Sequence, residues 1–346
     1  MPEIFFIEML GDGGKIRPSY TDYYLMAKMW GYKTCLLNEV DYQSENIYIC
    51  SFKDGAADSS FSSAEAKARK CKIVLHQLEW CEWHNGELMF PEWTDGDKTY
   101  NRMGEWIWAD EIWVSDHYLY NLMRRFNPKN FHRFRYVFLG GHPDFGIAPA
   151  EKVKLEIKWE AVHISYLTGM RGQKYEFMRV VNGNNFWGPN GWGDDRHQAL
   201  LHARYGVNLH QGKLPVITPQ RFMIFASYSL PILTDHCEDP RPYTVFQDAI
   251  THYEPSKTSV ANLELAQEAV ARNYDLVTRR QTFRSEVDKA VAEMLNSKPK
   301  NMVYYNLQES VSQLSRWIAE EKESEIVEIF SRLPVSAKEK LIRVLK

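Results

Sequence analysis

TPQRFMIFASYSLPILTD, residues 218–235, is the stretch that decides the architecture. QRFMIFASYS reads as a helix following a loop with Pro215 and Pro219, and LPILTD reads as a short apolar strand ending in Thr and Asp. Arg221 stands in the helix's first turn, where its charge opposes the macrodipole, so it needs an anionic partner or a direction away from the axis. Moving upstream, the same alternation recurs. GVNLHQ (206–211) is a strand, DDRHQALLHARY (194–205) a helix, 183–193 a Trp/Gly/Asn-rich loop, YEFMRVV (175–181) a helix, TGMRGQK (168–174) a loop and AVHISYL (161–167) a strand. Strands alternating with helices and glycine turns imply parallel βαβ units with right-handed crossovers.

A polar, proline-containing stretch, PDFGIAPAEKVK (143–154), separates this series from an earlier one. There IFFIEM (4–9) is a strand, Gly11-Asp12-Gly13-Gly14 a glycine loop and TDYYLMAKMWGY (21–32) a helix. KTCLLNEV, NIYICSF, the helix candidate SSAEAKARK, and the strands KIVLHQL (72–78), ADEIWVSD (109–116) and RYVFLGG (135–141) follow. Residues 261–295 read as continuous helix, and three further helix candidates close the chain. The expected division is therefore 1–150, 151–290 and a helical 291–346. The length of 346 residues agrees, at roughly 100–200 residues per domain.

Composition narrows the function classes. Apolar residues at 44% and charged residues at 25% exclude a disordered or collagen-like chain. Lys+Arg 42 against Asp+Glu 45 gives a net charge of -3, which does not indicate a strongly basic nucleic-acid binder. Five cysteines without C-x-x-C spacing argue against a zinc ribbon or disulfide framework and fit a reducing compartment. No apolar run is long enough for a membrane span and no signal-peptide pattern opens the chain, so a cytoplasmic protein is expected.

Several residues carry candidate chemistry. The glycine loop with Gly13 and Gly14 sits between strand and helix, where backbone N–H groups face a polar ligand, although a plain turn reads equally well. Arg171 and Lys174 lie at the matching junction of the second series, placed to neutralise a diphosphate or simply to solvate a turn. Glu79 follows a strand beside Trp80 and Trp83, a setting that raises a carboxylate toward general-base use, with Glu82 as substitute. Asp95-Gly96-Asp97 is a D-x-D that reads better as an Asp-Gly turn than as a metal clamp. His197, His202, His210, His236 and Cys237 match no metal template. The segment 124–135, RRFNPKNFHRFR, interleaves Arg124, Arg125, Lys129, Arg133 and Arg135 with phenylalanines, as a phosphate-contacting patch or a solvated helix end.

On these residues the chain resembles the GT-B glycosyltransferases. The run 218–235 looks like their Arg-led helix, crowded turn and Thr/Asp-ended strand, GPNGWGDDRHQALLHARYGVNLHQ like the elements before it, and VFLGGHPDFG like the close of their first domain. The resemblance spans residues 4–290 in element order, and its nearest form is the phage DNA β-glucosyltransferase type. It implies two Rossmann-like domains facing across a cleft. It also implies a nucleotide-sugar donor held by Arg171, Lys174, Arg221 and Ser229, with Gly172-Gln173-Lys174 as the phosphate loop. Glu79 would be the base of an inverting transfer, and Gly13, Gly14, Trp80, Arg133 and Arg135 would meet the acceptor. It further implies no tightly bound cofactor, with Mg²⁺ or Mn²⁺ expected only as an aid to product release. The acceptor implied is a 5-hydroxymethylpyrimidine in DNA; a glycan, a lipid-linked or small-molecule acceptor, or a non-catalytic nucleotide-sugar binder are the alternatives. Two positions depart from the family pattern: Ile224 stands where a Glu is usual, and Ser229 where the turn carries a glycine-like residue.

Overall fold

A computed structural model describes residues 2–8, 21–51, 66, 68–78, 82–84, 87–89, 109–116, 120, 133–164, 169–182, 185–188, 194–209, 219–235, 250–253 and 267–297. Its first half is a six-stranded sheet from β1 (Ile4–Glu8), β2 (Lys33–Leu36), β3 (Ile47–Ser51), β4 (Lys72–Gln77), β7 (Glu111–Val114) and β8 (Phe134–Tyr136), in the order β2-β1-β3-β4-β7-β8. Every pairing in it is parallel. The central strands β3 and β7 are buried along their whole length, as strands covered on both faces must be. Register brings Phe5 opposite Tyr48, and their rings stack at 5.3 Å. Helix α1 (Thr21–Met29) crosses from β1 to β2. A small antiparallel pair, β5 (Glu82–His84) and β6 (Glu87–Met89), follows β4.

The second half repeats the plan with β9 (Trp159–Val162), β10 (Phe186–Trp187), β11 (Ala203–Asn208), β12 (Ile232–Asp235) and β13 (Ile250–Tyr253), ordered β10-β9-β11-β12-β13 and again all parallel. Between the halves lies a short helix, α2 (Pro149–Lys152). Then come α3 (Gly169–Asn182), α4 (Asp194–Leu201) and α5 (Pro219–Ser227) as crossovers, and α6 (Gln267–Asp275) and α7 (Phe283–Leu295) after the last strand. No described helix is long and apolar enough to cross a membrane.

Three boundaries differ from the sequence reading. Helix α3 begins at Gly169, so most of the expected loop 168–174 is helical. Helix α4 stops at Leu201 and β11 starts at Ala203, inside the expected helix 194–205. Here Lys152 Nζ donates to the Leu200 and Leu201 carbonyls at 2.7 and 2.6 Å, ending α4, while Ala203, Tyr205 and Val207 turn into the core. The expected helix 261–295 is broken: a π-helical turn (Leu276–Arg280) ends α6, and Thr282 caps α7 by accepting the Ser285 N–H at 3.1 Å.

The break sends α7 back to the first sheet, where Phe283 packs on Phe6, Tyr23 and Tyr32. The strand-to-helix linker 137–148 runs against the same break. A Cβ on Gly140 would lie 2.0 Å from the Gln281 carbonyl oxygen, and one on Gly146 1.9 Å from that of Ser227, so both positions exclude any side chain.

Candidate functional site

In an open parallel sheet the ligand crevice lies beyond the carboxyl ends of the strands, where the strand order reverses. The reversals fall between β1 and β3 in the first sheet and between β9 and β11 in the second. At the second, His163 follows β9 and is buried, its Nδ1 2.9 Å from the Val207 carbonyl on β11. A carbonyl only accepts, so the neutral ring carries its proton on Nδ1, and Nε2 is an acceptor. Asn208, the last residue of β11, donates its amide to Thr234 Oγ1 at 3.1 Å and accepts Arg221 Nη1 on its Oδ1 at 2.6 Å. Arg221 also reaches the Leu209 carbonyl at 3.3 Å. The cation expected to oppose the dipole of α5 thus turns from the axis onto the Asn208 amide, which orients its guanidinium at the strand ends.

Helix α3 starts beyond β9, so its N-terminal turn and Arg171 share this edge, with Lys174 partly buried one turn on. The edge of the second sheet therefore carries a partly buried guanidinium and the start of a 14-residue helix, with the buried His163 beside them at the end of β9. A cation and helix N-terminal N–H donors at a switch point suit an anion such as a diphosphate.

At the first sheet's edge the polar groups form a directional chain. Ser115 Oγ donates to the Val137 carbonyl at 2.7 Å and takes the Nε2 proton of His76 at 2.7 Å, so Nδ1 accepts Tyr23 O–H at 2.8 Å. Burial lowers the His76 pKa to about 3, so the ring is neutral at physiological pH. Tyr24 OH joins Ser51 Oγ at 2.9 Å, tying α1 to the end of β3 as well.

The remaining expected residues fall as follows. Glu79, Trp80, Gly13 and Gly14 lie outside the described residues, as do Asp95, Asp97, His210, His236 and Cys237. Glu79 comes two positions after Gln77, the last residue of β4. Ser229 has the positive φ of 52° that its glycine-like position demands, but it is buried and its Oγ donates to the Ile147 carbonyl at 2.6 Å, anchoring the linker. His197 Nδ1 bonds the Tyr228 hydroxyl, and His202 Nδ1 lies 2.8 Å from the Glu156 carbonyl. Among the described residues no cluster of His, Cys, Asp or Glu forms a metal site.

Arg133 and Arg135, offered by the sequence to an acceptor phosphate, lie at the start of β8, one buried and the other ion-paired within the chain. Arg133 is 5% exposed. Arg135 forks onto both Glu111 oxygens and reaches Glu293 on α7, so its charge is spent within the chain. Sequence reasoning missed His163, Asn208 and Thr234; the polar residues ending their strands were the available signal.

No protein-family model matches the chain, and no curated protein matches it in sequence. Solved structures do. The crystal structure of Alr3699/HepE from Anabaena in complex with UDP and glucose is similar with a TM-score of 0.54 at 9% identity, over 86% of this chain and 100% of that one. The same protein in complex with UDP gives 0.53 at 10% identity, over 86% and 100%. AviGT4, a glycosyltransferase involved in avilamycin A biosynthesis, gives 0.54 at 8% identity, over 87% and 100%. With two parallel sheets of matching strand order, the chain has the GT-B fold of two Rossmann-like domains.

Proposed function

We propose that this chain is a glycosyltransferase that takes a sugar from a UDP-linked donor and gives it to an acceptor hydroxyl. The observation that carries the reading is Arg221, oriented by Asn208 and Thr234 at the β9/β11 switch point, within the fold of a protein crystallised with UDP and glucose. The donor side is assigned to residues 151–290 and the acceptor side to 1–150. In the step, Glu79 takes the acceptor hydroxyl's proton and that oxygen bonds the anomeric carbon from the face opposite the nucleotide. The anomeric C–O bond breaks, its electron pair passes to the β-phosphate oxygen, and Arg171, Lys174 and Arg221 stabilise the charge that develops there. Backside attack inverts the anomeric centre.

The burial of Arg133 and the pairing of Arg135 with Glu111 favour a glycan, lipid-linked or small-molecule acceptor over duplex DNA.

Calorimetric titration with UDP and an assay of UDP-glucose hydrolysis test the reading. UDP should bind, and Arg221→Ala should weaken it roughly 10- to 100-fold, as loss of a hydrogen bond to a charged group does. Glu79→Gln should abolish turnover and leave UDP affinity nearly unchanged. Absence of any response to UDP or UDP-sugars would overturn the donor assignment, and near-normal turnover of Glu79→Gln would remove its role as base.

A further inference from the structure

Asp22 and Arg196 lie 174 residues apart and form a buried ion pair between the two halves, Asp22 on α1 of the first and Arg196 on α4 of the second. The Arg196 side chain is 2% exposed and that of Asp22 10%. Connectivity fixes the location of the pair. Helix α1 carries the chain back from the carboxyl end of β1 and α4 carries it back from that of β10. The first turn of each helix therefore stands at the strand-end edge of its own sheet, the edge that holds the site. Next to the pair, His197 bonds Tyr228, and both rings meet Phe145 of the linker edge-on.

The charges explain why the pair is specific. Asp22 is favoured at a helix N-terminus, whereas Arg196 opposes the dipole of α4 and is buried as well. The neighbouring Asp194 and Asp195 are exposed, whereas Asp22, buried, meets Arg196 among the described residues. Apolar side chains would hold two surfaces together at least as well; a buried charge pair adds one fixed register. Losing either partner strands the other charge in the interface.

We propose that Asp22 and Arg196 form a latch fixing the first turn of α1 on the acceptor side against the first turn of α4 on the donor side, and are thereby positioning residues for transfer. The effect on turnover rests on the glycosyltransferase reading; the effect on shape does not. Asp22→Asn and Arg196→Gln should each lower kcat roughly tenfold or more, since small displacements of reacting groups are costly. UDP affinity should stay within about threefold. In small-angle X-ray scattering both single variants of the full chain should show a larger radius of gyration. The swapped pair Asp22→Arg with Arg196→Asp should regain compactness and part of kcat. If a single variant does not fold, Asp22→Glu and Arg196→Lys, which keep the charge and move it by one methylene or more, take its place in the same measurements. Folded variants with wild-type scattering and wild-type kcat would overturn the latch, as would lowered stability with both of these unchanged. A wild-type protein that neither binds UDP nor turns over would defeat the glycosyltransferase reading alone, and scattering would still decide the latch.

Discussion

His76 shows how much one side chain fixes in this fold. Its two ring nitrogens are committed in opposite senses, accepting from Tyr23 and donating to Ser115, and the wire ends on a backbone carbonyl. Protonating the ring would replace an acceptor by a second donor facing Tyr23, at a position 1% exposed. The folded pKa of about 3 lies below the ordinary 6.5, so below pH 6.5 the unfolded chain binds the extra proton and stability falls as pH falls towards 3. At pH 5 this ring alone should cost about 2 kcal/mol relative to pH 8. His76→Gln should be less stable by about 1–3 kcal/mol at pH 8, from the broken wire, yet lose that share of the acid dependence. Urea unfolding across pH for both proteins gives the comparison, and an unchanged acid slope in the variant would refute the assignment. Arg221 makes the complementary point. Its position in a helix's first turn was visible in the sequence, but Asn208 and Thr234, which aim it, lie 13 residues before it and on the next strand, where only the sheet register unites them.

Between elements, the tightest constraint is backbone against backbone. Gly140 touches the Gln281–Phe283 backbone, Gly141 N–H donates to the Val277 carbonyl at 2.7 Å, and the Phe283 N–H returns to Gly141 at 3.2 Å. The linker and the break between α6 and α7 are thus one joint. Gly140→Ala would force its methyl into backbone that cannot rotate away, and a loss of about 3 kcal/mol or more is expected by denaturant unfolding. A midpoint equal to wild type would show that the joint yields. This joint also marks what the sequence conceals. The β-rich runs and intervening helices were legible because alternation and apolar runs are local signals, and the two series could be ordered from them. The break at 281–282 was not, because residues 261–295 keep helical composition throughout. The π turn, the Thr282 cap and the contact with Gly140 act only once the linker is in place. Likewise the end of α4 depends on Lys152, whose amine crosses 48 residues to reach it.

Across the whole molecule, one apolar cluster runs from Phe6, Tyr23 and Trp113 through Phe138 and Phe145 to Val162, Leu200 and Phe222. Phe283 belongs to it and meets three aromatic rings of the first half, while α7 adds the Tyr32–Asp288 bond at 2.7 Å and the Arg135–Glu293 pair. Two domains sharing a core in this way are expected to unfold together, unlike domains joined by a wet, polar interface. Calorimetry on the full chain should then show a single transition. Phe283→Ala removes a fully buried ring at the point where the returning helix meets the first sheet, and should cost about 3–5 kcal/mol. Because the cluster is continuous, that loss should lower the entire transition instead of detaching a shoulder from it. Two resolved transitions in the wild type, or a variant in which one half melts early while the other keeps its midpoint, would show that the halves are energetically separate despite their shared core. In that case the latch at Asp22 and Arg196 would carry more of the coupling, and Asp22→Asn should widen the gap between the two transitions.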